Sequence, residues 1–83
     1  MADIMIVKQS ANSVDMICGK KQAQIYRSSQ CGYINVICKN AAHKAWKGGG
    51  NYFHDSNCWE QALGHYKSPE MRAMINEAKS LIS

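Results

Sequence analysis

"NCWEQALGHYKSPEMRAMIN", residues 57 to 76, is where the period of the apolar residues changes, and the change decides the fold. Trp59, Ala62, Leu63 and Tyr66 fall at i, i+3, i+4 and i+7, one face of a helix, and Asn57 stands three residues before Glu60 in the order of a capping box. The spacing predicts a first helix over residues 58–67. Ser68 then offers a second N-cap, and Pro69 takes the first helical position, where its missing N–H costs nothing. Met71, Met74, Ile75, Ala78, Leu81 and Ile82 carry an apolar stripe onward, which predicts a second helix.

Ahead of residue 55 the apolar residues alternate instead. Segments 4–7 and 14–18 flank the polar "KQSANS" and read as a first hairpin, in which Val14, Met16 and Cys18 share a face and Gly19 closes the strand. "KQAQIYRSSQCGYINVICKN" divides at "SSQCG" into strands over 23–28 and 33–39. In the second of these, Ile34, Val36 and Cys38 point one way and Tyr33, Asn35 and Ile37 the other. A further strand pair is predicted at "HKAWK" and "NYF", joined through the glycines at 48–50. The expected fold is α+β: an antiparallel sheet of four to five strands over residues 1–54, then two C-terminal helices over 55–83, packed on one face. Stripes of that width need a partner, and the sheet is the only one present. Ile6, Val14, Met16, Ile25, Ile34, Val36, Leu63, Met71, Met74, Ile75 and Ala78 are the expected core.

With 83 residues, 46% of them hydrophobic, and a single proline, the chain reads as one folded domain, 1–83, with a small core. Its first residues, "MADIMIVKQS", hold an apolar run of four behind the acidic Asp3, which predicts neither a secretion signal nor a membrane span, and so a cytoplasmic protein. In a reducing compartment the four cysteines are expected to be thiols, with Cys18 and Cys38 as small buried hydrophobes and Cys31 exposed in its turn. No cofactor is expected. Charge is segregated: residues 16–54 carry Lys20, Lys21, Arg27, Lys39, Lys44 and Lys47 with no aspartate or glutamate, while both flanks are slightly acidic and the net charge is +4. A field of one sign favours an anionic partner.

Several constellations bear on chemistry. Cys38, His43, His54 and Cys58 form C-x4-H-x10-H-x3-C, two close pairs of N/S ligands of the kind that hold a tetrahedral zinc. The pattern is similar to the CHHC fingers of some RNA-associated proteins, although there the second pair shares a helix and here His54 precedes it. Zinc on these four residues is therefore the alternative reading. Cys58 at a helix N-terminus, with His54 or His65 as base, has the elements of an activated thiol but no orienting third group or oxyanion motif, so no enzyme is expected. "KGGGN" has neither phosphate-loop spacing, and reads as a hairpin tip.

What remains is a surface. Arg27, Lys44, Trp46, Lys47 and Tyr52 are the expected partner-binding residues, with Tyr33 and Lys39 as secondary members, a mix of cations and aromatic faces that suits nucleic acid or a protein hot spot. Strands followed by a helix over residues 23–67 resemble the small DNA-binding domains of plant transcription factors and phage integrases, which lay a sheet in the major groove. In size, charge segregation and sheet-plus-helix form, the whole chain resembles the small accessory and inhibitor proteins of phages and mobile elements, anti-CRISPR proteins among them. That resemblance implies a non-enzymatic protein, monomer or homodimer, that occupies a surface of a host protein or ribonucleoprotein complex. Direct DNA or RNA binding through the sheet is the alternative, and no membrane partner is expected.

Overall fold

A computed structural model describes residues 3–28, 32–46 and 50–82. β1 (Ile4–Gln9), β2 (Ser13–Cys18), β3 (Lys21–Arg27), β4 (Ile34–Asn40) and β5 (Asn51–Phe53) form one antiparallel sheet in chain order, followed by α1 (Cys58–His65) and α2 (Pro69–Ile82). The α+β layout expected from the change of period is the one observed. Each strand pairs with its successor, so the sheet has no crossover connection. The tightest connection is the two-residue turn between β2 and β3, where Gly19 adopts a φ of +62°. That backbone suits the right-handed twist of the strands it joins and is strained for any side chain larger than hydrogen.

Alternation sorts the strands into two faces. Val14, Met16 and Cys18 of β2, Ala23 and Ile25 of β3, and Ile34 and Val36 of β4 are buried on one of them. Over this face α2 covers β2 and β3, and α1 covers β4 and β5. Trp59 and Ala62 of α1 and Met71, Met74, Ile75, Ala78 and Ile82 of α2 close the core, joined by Phe53 and Cys58. The helices are tied to each other at the C-terminal end of α1. There the Arg72 guanidinium donates to the carbonyl oxygens of Leu63 and Tyr66, a cation placed on the negative end of the α1 dipole. Ser68 holds the start of α2: its carbonyl accepts from the Arg72 N–H, and its hydroxyl donates to the Glu70 carboxylate at 2.6 Å. That bond, with the backbone N–H of Glu70, holds the carboxyl below the ordinary glutamate range. Its stabilising effect is therefore present at neutral pH and fades as pH falls through the lowered value.

Four expectations differ from the fold. "HKAWK" is not a strand: residues 43–46 are loop, and β5 pairs directly with β4 through Ile34–Phe53, Asn35–Tyr52 and Val36–Asn51. The loop is held by Lys39, whose ammonium donates to the His43 carbonyl and sits 5.2 Å from the Trp46 ring centroid, so residues 43–46 serve as the lysine's partners instead of as a ladder. Gly48 and Gly49 lie outside the described residues. The capping box is not formed, because Asn57 makes no side-chain cap and the Glu60 carboxylate pairs with Lys79 of α2 at 3.1 Å. α1 ends at His65, ahead of the expected residue 67, with Tyr66 already extended. Two residues expected inside are exposed. Ile6 is 43% exposed because β1 lies beyond the cover of α2, and Cys38 is exposed near the end of β4, past the reach of both helices. Leu63 is partly buried at the margin of the core.

The cysteines are thereby separated chemically. Cys18 is buried among β2, β3 and α2, and burial first, with Glu70 and Asp3 adding, pushes its thiol above the ordinary range. Cys58 is buried beside Trp59. Alkylation of the native protein in a Cys31→Ser background is expected to modify Cys38 first. Cys18 and Cys58 should follow more slowly by a factor on the order of a hundred or more, since they react only through opening. Mass-spectrometric peptide mapping over a time course checks the order. Comparable rates at Cys38 and Cys18 would contradict the burial.

Candidate binding face of the sheet

The face of the sheet turned away from the helices is covered by neither of them, and the strand register arranges it in rows. One row runs Ser13, Tyr26, Asn35, Tyr52; the next runs Lys8, Asp15, Gln24, Ile37; the third runs Met5, Ile17, Gln22, Lys39. Residues directly opposite across an antiparallel pair share a face, so each row lies on the open side, opposite to Ile25, Val36 and Met16. Tyr26 and Tyr52 are 45% and 58% exposed. They flank Asn35 from the two neighbouring strands, which sets their backbones about 10 Å apart.

Beyond that row the aromatic surface continues. The Tyr33 ring lies edge-on to Tyr52 at 5.4 Å between centroids, and against the His54 imidazole, also at 5.4 Å. Four rings therefore gather at one end of the open face. The centre is polar: the Gln22 amide donates to the Asp15 carboxylate at 2.9 Å, and Lys8 stands opposite Asp15 with the balancing charge. At the far end of β4 stand Lys39 and Trp46, with Lys44 exposed in the loop after them. The result is an aromatic end, an amide-rich middle and a cationic end, about 13 Å apart along β4 at the rise of an extended strand.

Gly50 is what lets this loop rejoin the sheet. A Cβ at this position would overlap the Asn35 side chain and lie 2.7 Å from Cγ1 of Ile37, both on the open face. The Asn35 Oδ1 is buried at this contact, with no hydrogen-bond partner among the described residues. Gly50→Ala is expected to cost about 1–3 kcal/mol, the usual penalty for forcing a carbon into a filled space. Urea denaturation checks it, and an unchanged midpoint would mean that the contact is looser than the geometry implies.

The expected partner-binding residues are only partly brought together. Tyr52 is on the open face and Trp46 and Lys44 flank its far end, whereas Lys47 lies outside the described residues. Arg27 is on the other side: it stands opposite Ile34, half-buried, with its Nε buried and unpaired among the described residues. There it borders a cavity of about 210 Å³ next to Asp55, Cys58 and Trp59. Tyr26, Tyr33, Asn35 and His54 also stand on the open face, and of these only Tyr33 is among the expected binding residues. The signal that finds the first three is the alternation itself, for once Ile25 and Ile34 are core, residues 26, 33 and 35 must face away.

The C-x4-H-x10-H-x3-C residues do not converge. Among the described residues, no three His, Cys, Asp or Glu side chains are grouped to hold a metal ion. Cys38 is exposed near the end of β4, His54 is stacked on Tyr33, and Cys58 is buried at the start of α1. His65 packs instead on Phe53 and Tyr66, at 5.5 and 4.9 Å. Burial raises the Tyr66 phenol, whose oxygen accepts from the Asn51 amide at 2.7 Å. This second aromatic group lies under the sheet, where it fastens α1 to β5.

No family model, curated protein or solved structure matches the chain. Its chemistry is therefore read from its own surface. Among the described residues no helix is long and apolar enough to cross a membrane.

Proposed function

We propose that the protein is a non-enzymatic binding module that occupies a surface of a protein or ribonucleoprotein complex, in the manner of the small phage inhibitors it resembles. The contact surface is the open face of the sheet. The observation that carries this reading is the cluster of Tyr26, Tyr33, Tyr52 and His54 on the face that no helix covers. Rigid aromatic rings beside amides and a few charges are the composition of a protein hot spot, which gains affinity by burying large side chains that lose little rotamer freedom. The weak net charge of the face, with Lys8 and Lys39 against Asp15, suits a protein surface better than a phosphate backbone alone.

Direct binding of a single-stranded nucleic acid is the second reading. It is favoured by two exposed tyrosines flanking one strand and by the lysines at the far end, since bases stack on aromatic faces with little regard to sequence. One comparison separates the two. The full chain is used to purify complexes from its source cells, with nuclease treatment, beside anisotropy titrations with labelled single strands at low and moderate salt. A nuclease-resistant complex that is retained by the native chain and lost with Tyr26→Ala/Tyr52→Ala supports the inhibitor reading. Tight oligonucleotide binding with a steep salt dependence supports the second. Neither result would leave the open face without a role in binding.

A further inference from the structure

We propose that the outer edge of β1 is an interface for a second copy of this chain, which adds its own β1 antiparallel across a two-fold axis at Met5 and joins two sheets into one. The two edges of the sheet are built differently. β5, at one edge, has three residues and leads almost at once into α1. β1, at the other, has six, including the unbroken apolar run Ile4, Met5, Ile6 and Val7. Of these Met5 is 58%, Ile6 43% and Val7 52% exposed. Natural sheets blunt such edges with shortness, proline or inward charge, because unpaired N–H and C=O groups beside apolar side chains recruit another strand. Here length and apolarity are kept together at one edge, and α2, which covers β2 and β3, leaves it uncovered.

Self-complementarity identifies the occupant. A two-fold axis perpendicular to the sheet preserves its faces, so residues that meet across it must point the same way. Ile4 and Ile6 pair with Cys18 and Met16 and lie on the helix side; Met5 pairs with Ile17 on the open side. A bulge at Val7 then brings Lys8 opposite Asp15, on the same open side as Met5. By alternation Asp3, the exposed residue just before the strand, falls on the same side as Met5.

A pairing centred on Met5 therefore sets Met5 against Met5, Ile4 against the second copy's Ile6, and Asp3 against the second copy's Lys8. Met5 and both isoleucines meet apolar residues, Val7 stands in the bulge outside the pairing, and each end carries an opposite-charge pair. Centred on Ile6, the pairing would set Met5 against Lys8 and Ile4 against Gln9; centred on Ile4, it would set Met5 against Asp3. The bulge that ordinarily discourages edge pairing is here what places Lys8 on the same face as Asp3. The four isoleucines would fill the gap between the two copies of α2. This interface is at a sheet edge and is independent of what the open face binds.

Sedimentation equilibrium of the full chain across low-micromolar to millimolar concentration tests the proposal, with circular dichroism to confirm folding. The native chain is expected to dimerise, and Lys8→Asp, which puts like charges together at both ends, to weaken the dimer roughly tenfold. Asp3→Lys combined with Lys8→Asp restores the opposite-charge pairs and should recover most of that loss. Ile6→Lys should abolish the dimer while the monomer stays folded, its side chain being already exposed. A monomer at every concentration would overturn the proposal, as would open-ended assembly, a dimer indifferent to Lys8→Asp, or a charge swap that fails to restore it.

Discussion

Tyr26→Ala with Tyr52→Ala is expected to weaken partner binding by roughly a hundredfold or more while the melting midpoint moves by only a few degrees. An anchoring aromatic contributes about 1–3 kcal/mol whether its partner is a base or a protein pocket, and about 1.4 kcal/mol is a factor of ten. Both rings are largely exposed in the unbound chain, so truncating them removes little packing. What the fold loses is contact between Tyr52 and Tyr33, an edge-on ring pair of about 0.5–1.5 kcal/mol. Binding and stability should therefore separate cleanly. Titration of the purified partner with the native chain and the double variant, beside thermal melts of each, is the measurement. Equal affinities would place the interface elsewhere, with the Lys44 and Trp46 loop the first surface to try.

The second large effect is on stability. Ile25→Ala is expected to cost about 2–5 kcal/mol, because it removes a side chain whose surroundings relax only in part. Ile25 is fully buried in β3, the middle strand, where it stands between Val14 of β2 and Val36 of β4 beneath the helices. A domain this small has a stability on the order of 5–10 kcal/mol, so the loss is a large fraction of the whole. At about 4–8 °C per kcal/mol, the melting midpoint should fall by roughly 10–40 °C. A fall of only a few degrees would show that the core repacks around the missing atoms more freely than its density implies. Open-face substitutions serve as the control, since residues on the bare side of the same strand, Gln24 among them, contribute little to that core.

The contrast between Tyr26 and Ile25, adjacent in sequence and opposite in placement, follows from the sequence pattern alone. Alternation over residues 14–18 and 34–38 placed one set of side chains inward, and the i, i+3, i+4 spacing after residue 57 required a helical layer to meet them. From these two periods the α+β class, the strand-then-helix order and most of the core were legible. The bare face was legible too, although only as the complement of the core.

Tertiary structure decided the rest, because it depends on where cover ends. Ile6 and Cys38 have the residue types and alternation of core positions, and are exposed because neither helix reaches them. No local pattern records the length and tilt of an element packed from elsewhere in the chain. The positions of Cys38, His43, His54 and Cys58, which are not grouped as their spacing suggests, are decided in the same way. Spacing in sequence bounds how far apart ligands can be, whereas the direct pairing of β5 with β4 and the burial of Cys58 under the sheet decide where they point. Arg27 was grouped with the exposed cations by charge, yet strand register turns it toward the helices. The sequence by itself determined the elements, their order and which residues are able to be core. Which of those are covered, and hence which aromatic residues are left exposed, was decided by long-range packing of two helices over four of five strands, whose geometry no short window of residues contains.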